Sequence, residues 1–240
     1  NGLLSPVKSQ PGGGCWTSTA HASIESFWRR SGFGDHVLSD RNVQLFNGFV
    51  ESRQTNGNHH MITAVYSRRA GPLFKNPETD TIKVINPDVP AYLTGARYLP
   101  DSAGLIKSAI RHYGGVYSMM YHSKKTGLDT LTNIYYTPKD HINHVACIVG
   151  WNDTMETKEG RGVWIVQNSL GAKYADSGFM YVPYHDENIL QYNAVWPCWK
   201  EPDPRSELYY YDTTGSYHSY GFDNPLSYGM VKFTASNDGM

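Results

Sequence analysis

Three residues of the chain have side chains that together could perform nucleophilic catalysis. Cys15 follows three glycines and precedes Trp16, at the point where helical spacing of apolar residues begins. A thiol in the first turn of a helix faces backbone N–H groups without partners and the positive end of the helix dipole. Both favour the thiolate, which is the nucleophilic form. The pattern predicts a nucleophile, and the alternative is a buried cysteine that happens to open a helix.

A histidine and an asparagine lie further along the chain, each at the end of a β-like run. His144 precedes the apolar run 145–149, and Asn168 follows the run 163–167, 24 residues after the histidine. Imidazole can act as a base, and an asparagine amide can hold its ring in one tautomer and orientation. Cysteine, histidine and asparagine in this order are one way to build a thiol triad.

The other histidines are weaker candidates for chemistry. His21 lies six positions after Cys15, about 240° around a helix, which excludes it as the base. His141 and His144 have a spacing found in metal sites, but no third ligand is evident. The adjacent pair His59–His60 is better explained as a solvated loop than as a metal site. The sequence therefore predicts no metal and no cofactor.

Helices and short strands are expected to position these residues. Apolar periodicity, caps and breakers predict helices from Cys15 to Gly32, near 39–48, around 61–69 and over 103–112. Residues 76–101 are predicted to be loop with a short strand or two. Strands are predicted at 116–122, 145–151, 163–168, 179–183 and 193–196. A helical half followed by a strand-rich half indicates an α+β fold whose cleft could hold a peptide.

Composition narrows the class of protein. The 240 residues carry 21 Lys and Arg against 22 Asp and Glu, which argues against a nucleic-acid partner. No apolar run is long enough for a membrane span, so we expect a soluble chain. The start at Asn1, without an initiator Met or signal peptide, suggests a mature or trimmed form. With Cys15 free, Cys147 and Cys198 allow at most one disulfide, and Cys147 is expected in the core.

Three segments resemble those of the papain-like cysteine peptidases. Residues 6–16 resemble the nucleophile segment, residues 143–151 the histidine segment, and residues 163–171 with 177–179 the asparagine segment. The resemblance covers about residues 3–197. It implies a two-lobed fold, with a helical lobe, an antiparallel β-barrel-like lobe and the active-site cleft between them. The few cysteines and the tyrosine-rich tail are most similar to a prokaryotic branch that carries a lectin-like domain after the peptidase.

The resemblance also implies roles for individual residues. Cys15 would be the nucleophile, and His144 the base that then protonates the leaving amine. Asn168 would orient the imidazole. Gln10 would donate its side-chain amide to the oxyanion hole together with the backbone N–H of Cys15.

The same resemblance indicates where substrate binds. The loop 56–58 resembles the segment whose backbone pairs with an extended peptide, so Gly57 and Asn58 are predicted substrate-binding residues. Asn143, next to the predicted base, is a third. The predicted partners are an extended peptide or protein substrate and a propeptide. A glycan is a further candidate partner, through the tail.

Several positions depart from the family pattern. Four residues separate Gln10 from Cys15, where the family usually has five. Residues 17–18 are Thr and Ser, which makes that helix face more polar. Leu170 replaces the tryptophan that usually covers the histidine–asparagine bond, and its loss should admit water and weaken that bond.

We therefore expect a secreted or cell-surface prokaryotic cysteine endopeptidase, with residues 1–198 as the peptidase domain. Residues 199–240 would be a linker and the start of a β-rich, lectin-like extension. One alternative is a catalytically weakened or inactive homologue that acts as a peptide- and glycan-binding surface protein. Another is a cell-wall amidase that uses cysteine and histidine. Labelling of Cys15 by a thiol-directed epoxide would separate the endopeptidase from the inactive homologue.

Overall fold

The structure, a computed structural model, describes residues 2–10, 12–49, 56–78, 81, 84, 89–123, 125–209 and 234. The mixture of helices with one large sheet confirms the predicted α+β class. Its elements in chain order are α1 (Cys15–Ser31), α2 (Asp40–Phe46), α3 (His59–Ser67), β1 (Tyr92–Leu99), α4 (Ala103–Tyr113), β2 (Val116–Met120), β3 (Leu128–Asp129), β4 (Ile134–Tyr135), β5 (His144–Thr157), β6 (Gly160–Gln167), β7 (Phe179–Pro183) and β8 (Gln191–Lys200).

All four predicted helices are confirmed, and local capping explains their bounds. Helix α1 stops at Gly32, which adopts a left-handed φ of 82° that glycine tolerates. Ser39 caps α2 by accepting a hydrogen bond from the N–H of Asn42 at 3.1 Å. Helix α3 begins two residues earlier than predicted, because the side chain of Asn58 accepts hydrogen bonds from the backbone N–H groups at the helix start.

The strands form one sheet in the order β1-β8-β2-β5-β6-β7-β4-β3, antiparallel except between β4 and β7. The five predicted strands are all present, with β5 and β8 longer than expected. Strand β1 is a full eight-residue strand where mostly loop was predicted. It pairs with β8 at the edge of the sheet, and most of its side chains are not buried, so it lacks a clear apolar alternation.

Three adjacent strands are shared by two hydrophobic cores. The first core joins α1, α2 and α3 to one face of β2, β5 and β8, and the second joins α4 to the other face. Successive residues of a strand point to opposite faces. Accordingly Val145 belongs to the first core and Ala146 to the second, as Tyr117 and Val116 do on β2. The two halves of the molecule therefore meet along these strands.

The packed core of the described chain ends with strand β8. Trp199 is buried, packs edge-on against Trp28 at 5.0 Å and donates a hydrogen bond to the carbonyl of Trp196 at 2.6 Å. Residues 201–209 follow without a helix or strand. The predicted β-rich extension lies, apart from 199–209 and 234, outside the described residues, so the division into 1–198 and 199–240 stays a prediction. None of the helices described here has the length and apolar character needed to cross a membrane.

All three cysteines are free. Cys147 is buried on β5, as predicted, and burial raises the pKa of its thiol. Cys15 and Cys198 are half-buried.

Candidate active site

Cys15 is the first residue of α1 and its side chain is half-buried. Burial raises the pKa of its thiol, and this outweighs the backbone N–H groups of Val145, Trp16 and Cys15 itself, which lower it. The stabilisation predicted for a helix start is thus present, but burial is the larger effect. The sulfur needs a base to become ionised.

The sulfur of Cys15 lies beside the beginning of β5. The N–H of Val145 is among the groups that act on its pKa, and Val145 directly follows His144. One turn along α1, the hydroxyl of Thr19 donates to the carbonyl of Val145 at 3.1 Å. These contacts hold the cysteine helix against the strand that begins with the predicted base.

The structure brings His144 and Asn168 into hydrogen-bond contact. Nε2 of His144 lies 3.0 Å from Oδ1 of Asn168, in a buried bond. The N–H of Ser169 donates to the same oxygen at 2.8 Å, which identifies that atom as the amide oxygen. Nε2 must therefore carry the proton, which makes Nδ1 the nitrogen able to accept one. The backbone of Asn168 is fixed in turn by its N–H, which donates to the carbonyl of Gly178 at 2.9 Å.

Gln10 is attached to the asparagine loop. Its N–H donates to the carbonyl of Ser169 at 2.8 Å, and its side-chain oxygen accepts from the hydroxyl of Ser169 at 2.6 Å. Nε2 of Gln10 donates to the carbonyl of Gly12 at 3.1 Å, inside the glycine loop before Cys15. An amide nitrogen has two N–H groups, and this bond uses one of them. Gln10 thus links the glycine loop before Cys15 to the segment that follows Asn168.

The three predicted substrate-binding residues have clear local roles. Gly57 lies against the indole of Trp16, where an added Cβ would come within 2.4 Å of a ring carbon. The side chain of Asn58 is engaged in capping α3. The side chain of Asn143 exchanges hydrogen bonds with the backbone of His122, accepting at 2.8 Å and donating at 3.2 Å. Any contact of Asn58 or Asn143 with a substrate would therefore come from the backbone.

The expectation that Leu170 leaves the histidine–asparagine bond open to water is wrong. Asn168 is only 2% exposed and His144 only 8% exposed, although Leu170 itself is 38% exposed. Instead of covering the bond, the backbone of Leu170 forms an isolated β-bridge with Ser9. The bond is thus buried without a tryptophan at position 170.

Two residues next to this bond, His122 and Tyr174, are not among the predicted site residues. The ring of His122 lies 4.9 Å from that of His144, centroid to centroid, and its Nε2 is 2.9 Å from the hydroxyl of Tyr174. The sequence held one usable signal, because His122 ends the predicted strand 116–122. Met120 pairs with His144 in the sheet, which places the residues after Met120 near the base.

The polar face of α1 is satisfied by a buried network. Thr17 donates to the carbonyl of Gly14 at 2.9 Å, and Ser18 donates to Asp40 at 2.6 Å. Asp40 also lies 2.5 Å from Nδ1 of His21, so this ring is engaged within the helical half. The Thr17–Ser18 departure therefore adds bonds inside the helical half.

The network continues to the chain segment that carries Gln10. Nζ of Lys8 lies 2.8 Å from Glu25 and 3.3 Å from Asp40. Nε2 of His21 bonds to the hydroxyl of Tyr66 on α3. In the part of the chain that the structure describes, no group of three or more His, Cys, Asp or Glu side chains could hold a metal.

Comparison with known families gives one broad match. The family model for papain family cysteine protease matches residues 1–195, most of the chain. Cathepsin 7 of Rattus norvegicus is 24% identical over 222 residues, which cover 82% of this chain and 63% of that protein. Cathepsin Q of Rattus norvegicus is 22% identical over 158 residues, covering 62% of this chain and 43% of that protein. The chain thus spans less than two thirds of the length of these relatives.

Solved structures show the same fold. The cysteine protease and lectin-like domains of Cwp84, a surface layer associated protein of Clostridium difficile, align with a TM-score of 0.75 at 21% identity. That alignment covers 89% of this chain and 53% of that one. The bromelain protease from Ananas comosus, in complex with the E64 inhibitor, aligns with a TM-score of 0.68 at 19% identity, covering 82% of this chain and 95% of that one.

Proposed function

The chain belongs to the papain family of cysteine proteases, and from this we propose that it is a cysteine endopeptidase that uses Cys15, His144 and Asn168 as its triad. The observation that carries the proposal is the buried bond of 3.0 Å between Nε2 of His144 and Oδ1 of Asn168. This bond directs Nδ1 of the imidazole away from Asn168. His144 is the first residue of β5, and the Cys15 sulfur lies beside that end of the strand.

The first half of the proposed reaction forms an acyl-enzyme. His144 takes the proton of Cys15, and the thiolate attacks the carbonyl carbon of the peptide bond. The oxyanion receives hydrogen bonds from the N–H of Cys15 and from the side-chain amide of Gln10. When the C–N bond breaks, the imidazolium gives its proton to the leaving amine. Because burial alone raises the pKa of the thiol, ionisation depends on transfer to His144.

The second half releases the acyl group. His144 accepts a proton from water, and the resulting hydroxide attacks the thioester carbonyl. The C–S bond breaks, the new carboxylic acid leaves, and Cys15 recovers its proton. Asn168 keeps the ring in place through both halves, and its 2% exposure keeps water from competing for that bond.

The proposed substrate is an extended peptide that pairs with backbone near Gly57, Asn58 and Asn143. Recognition through the backbone tolerates many sequences, since side chains contribute little to it. By similarity to a surface layer associated protease with a lectin-like domain, we further propose a secreted or cell-surface location in a prokaryote. A propeptide before the described chain and a glycan bound by the tail belong to the same proposal.

The decisive experiment is labelling by an epoxide that alkylates the nucleophilic thiol of papain-like enzymes. We expect one label per chain, located on Cys15 by peptide mass spectrometry, and none in Cys15→Ala. Cys198→Ala is the matched control, because Cys198 is also free and half-buried, and it should keep both the label and the activity. Cleavage of a peptide library then identifies the scissile bonds.

Two results would contradict the proposal. Equal reactivity of Cys15 and Cys198 would favour the non-catalytic homologue that binds peptide without cleaving it. Selective labelling of Cys15 with hydrolysis of cell-wall amides, and no cleavage of peptides in the library, would favour the amidase.

A further inference from the structure

A second histidine ring lies against the proposed base. The rings of His122 and His144 are 4.9 Å apart at an angle of 46°, and His122 is buried. His122 follows β2 by two residues, and β2 is paired with β5 in register. The neighbouring strand therefore delivers this ring to the beginning of β5.

The position of His122 is fixed from several sides. Its backbone exchanges two hydrogen bonds with the side chain of Asn143. Its ring stacks on Tyr135 with centroids 5.1 Å apart and planes within 7°. The hydroxyl of Tyr135 accepts a hydrogen bond from the N–H of Ser123 at 2.7 Å, which holds the residue after His122. A ring held in this way can define the position of its neighbour.

The same cluster reaches the other side of the His144–Asn168 bond. Nε2 of His122 lies 2.9 Å from the hydroxyl of Tyr174. That hydroxyl and the side-chain amide of Asn168 each lie 3.8 Å from the sulfur of Met180, within hydrogen-bond range for sulfur. His122, Tyr174 and Met180 therefore form a chain of contacts from the ring of His144 to the amide of Asn168.

We propose that His122 is a positioning residue for His144, holding the imidazole in its bond to Asn168 and, with Tyr174, taking the place of the missing tryptophan. The proposal rests on the proposed function of the triad. His122 touches the base and not the reacting atoms, so its effect passes through His144. It increases the fraction of time that Nδ1 is directed toward Cys15.

Three titratable rings among the described residues face His122. They are His144 from β5, Tyr135 from β4 and Tyr174 from the segment before β7. Burial raises the pKa of Tyr174 to about 12 and also raises that of Tyr135, so both hydroxyls stay protonated at neutral pH. In the proposed triad, a weaker hydrogen bond from the His144 imidazolium to Asn168 would favour the neutral ring.

The test compares His122→Phe with Tyr174→Phe. Phenylalanine at 122 keeps a ring that can stack on Tyr135 but loses the bond to Tyr174, while Tyr174→Phe removes only the partner hydroxyl. Loss of one partly buried hydrogen bond and of its orienting effect should lower kcat per labelled site about tenfold for His122→Phe and about threefold for Tyr174→Phe. KM should stay within about twofold, since neither residue is proposed to bind substrate.

Two readouts separate positioning from a general loss of structure. Titration with the epoxide counts competent Cys15 sites, so kcat is expressed per site and an unfolded fraction does not affect it. The basic limb of the kcat pH profile should move to lower pH by about 0.5 unit in His122→Phe, because the imidazolium is less well held. His112→Phe is the matched control, since His112 is exposed on α4 and bonds to the carbonyl of Ser108 in its own helix, and it should match the wild type.

A double-mutant cycle with Asn168→Ala completes the test. If His122 acts through the His144–Asn168 bond, the two substitutions together should cost less than the product of their separate effects. Unchanged kcat and pH profile in both His122→Phe and Tyr174→Phe, or strictly multiplicative effects with Asn168→Ala, would overturn the proposal and leave the triad intact. If His122→Phe does not fold, Tyr174→Phe decides. Failure of Cys15 labelling in the wild type would overturn the triad itself.

Discussion

At the scale of single residues, ionisation of the proposed nucleophile Cys15 depends more on the proposed base His144 than on helix α1. The sequence places Cys15 where backbone N–H groups favour the thiolate, and those of Trp16 and Cys15 do lower its pKa. Burial raises the pKa by more. In the proposed triad, Cys15 is therefore a poor nucleophile until His144 takes its proton, so its reactivity depends on the position of the imidazole.

Position 57 needs a glycine because the backbone there lies against the side chain of Trp16, the residue after Cys15. An added Cβ would lie 2.4 Å from the indole of a fully buried tryptophan. We expect Gly57→Ala to lower the free energy of unfolding by about 1–3 kcal/mol through overpacking. Displacement of Trp16 should also slow epoxide labelling of Cys15. Urea unfolding and the labelling rate measure the two effects.

The matched control for this substitution is Gly104→Ala. Gly104 lies in the first turn of α4, and an added Cβ there meets nothing within 4 Å. Alanine is the better helix former, so the control should be neutral or slightly stabilising. Equal effects of the two substitutions would mean that the contact with Trp16 is unimportant.

At the scale of elements, the buried network under α1 makes the stability of the helical half depend on pH in the acidic range. Burial raises the pKa of Asp40, but the hydrogen bond and positive charge of His21, then the charge of Lys8, lower it to about 2 overall. The carboxylate joins α1 to α2, through Ser18 and His21. Protonation of Asp40 should therefore loosen the packing of these two helices.

The pH dependence follows from the direction of that shift. A carboxyl whose pKa is lowered by folding stabilises the protein fully above its unfolded value of 3.8, and this is lost as pH falls through about 2. We expect Asp40→Asn to lose about 2 kcal/mol of stability at neutral pH and to show a flatter dependence below about pH 5. Urea midpoints measured from pH 7 to pH 2 give both quantities.

Asp203→Asn is a suitable control for the acid series. The side chain of Asp203 bonds to Arg205 on an exposed segment. Its pKa is also lowered, but solvent screens an exposed pair, so Asp203→Asn should change the urea midpoint far less than Asp40→Asn at every pH. If Asp40→Asn retained the full acid dependence of the wild type, the network around Asp40 would not be its cause.

Elements with strong local signals could be predicted from the sequence, and elements defined by distant pairing could not. Helix α1 has a glycine stop and α2 a serine cap, so their bounds were close to the observed ones. Strand β1 depends on pairing with β8, which is nearly 100 positions further along the chain. Nothing local in its residues indicates that pairing.

The same distinction applies to the candidate site. The choice of Cys15, His144 and Asn168 as candidate residues could be made from the sequence, because each of them lies at the end of an element and within its own motif. The contact of His122 with His144 depends on the register between β2 and β5, and a histidine at a strand end has no motif of its own. The burial of the bond despite Leu170 is likewise a tertiary property that no local motif indicates.

At the scale of the whole molecule, the end of β8 is where the predicted domain boundary can be tested. The boundary after residue 198 would leave out Trp199, which is buried between Trp28 and Tyr66. Its loss should cost about 3–5 kcal/mol, as for a buried large aromatic side chain. A chain of residues 1–206 keeps Trp199 and the two hydrogen bonds between Arg69 and Ser206.

We therefore expect the chain 1–206 to label at Cys15 as fast as the full chain, and the chain 1–198 to unfold at much lower urea concentration. Thermal unfolding and epoxide labelling of the three forms make the comparison. Equal stability of 1–198 and 1–206 would support the boundary after residue 198. Loss of labelling in 1–206 would show that the tail contributes to the peptidase fold.

The strands that serve both cores have a consequence for how such proteins can diverge. Because β2, β5 and β8 present one face to each half, a change of side chain on either face alters the backbone on which the opposite half rests. We therefore expect an exchange of either half between relatives to require matched substitutions along both faces of these three strands.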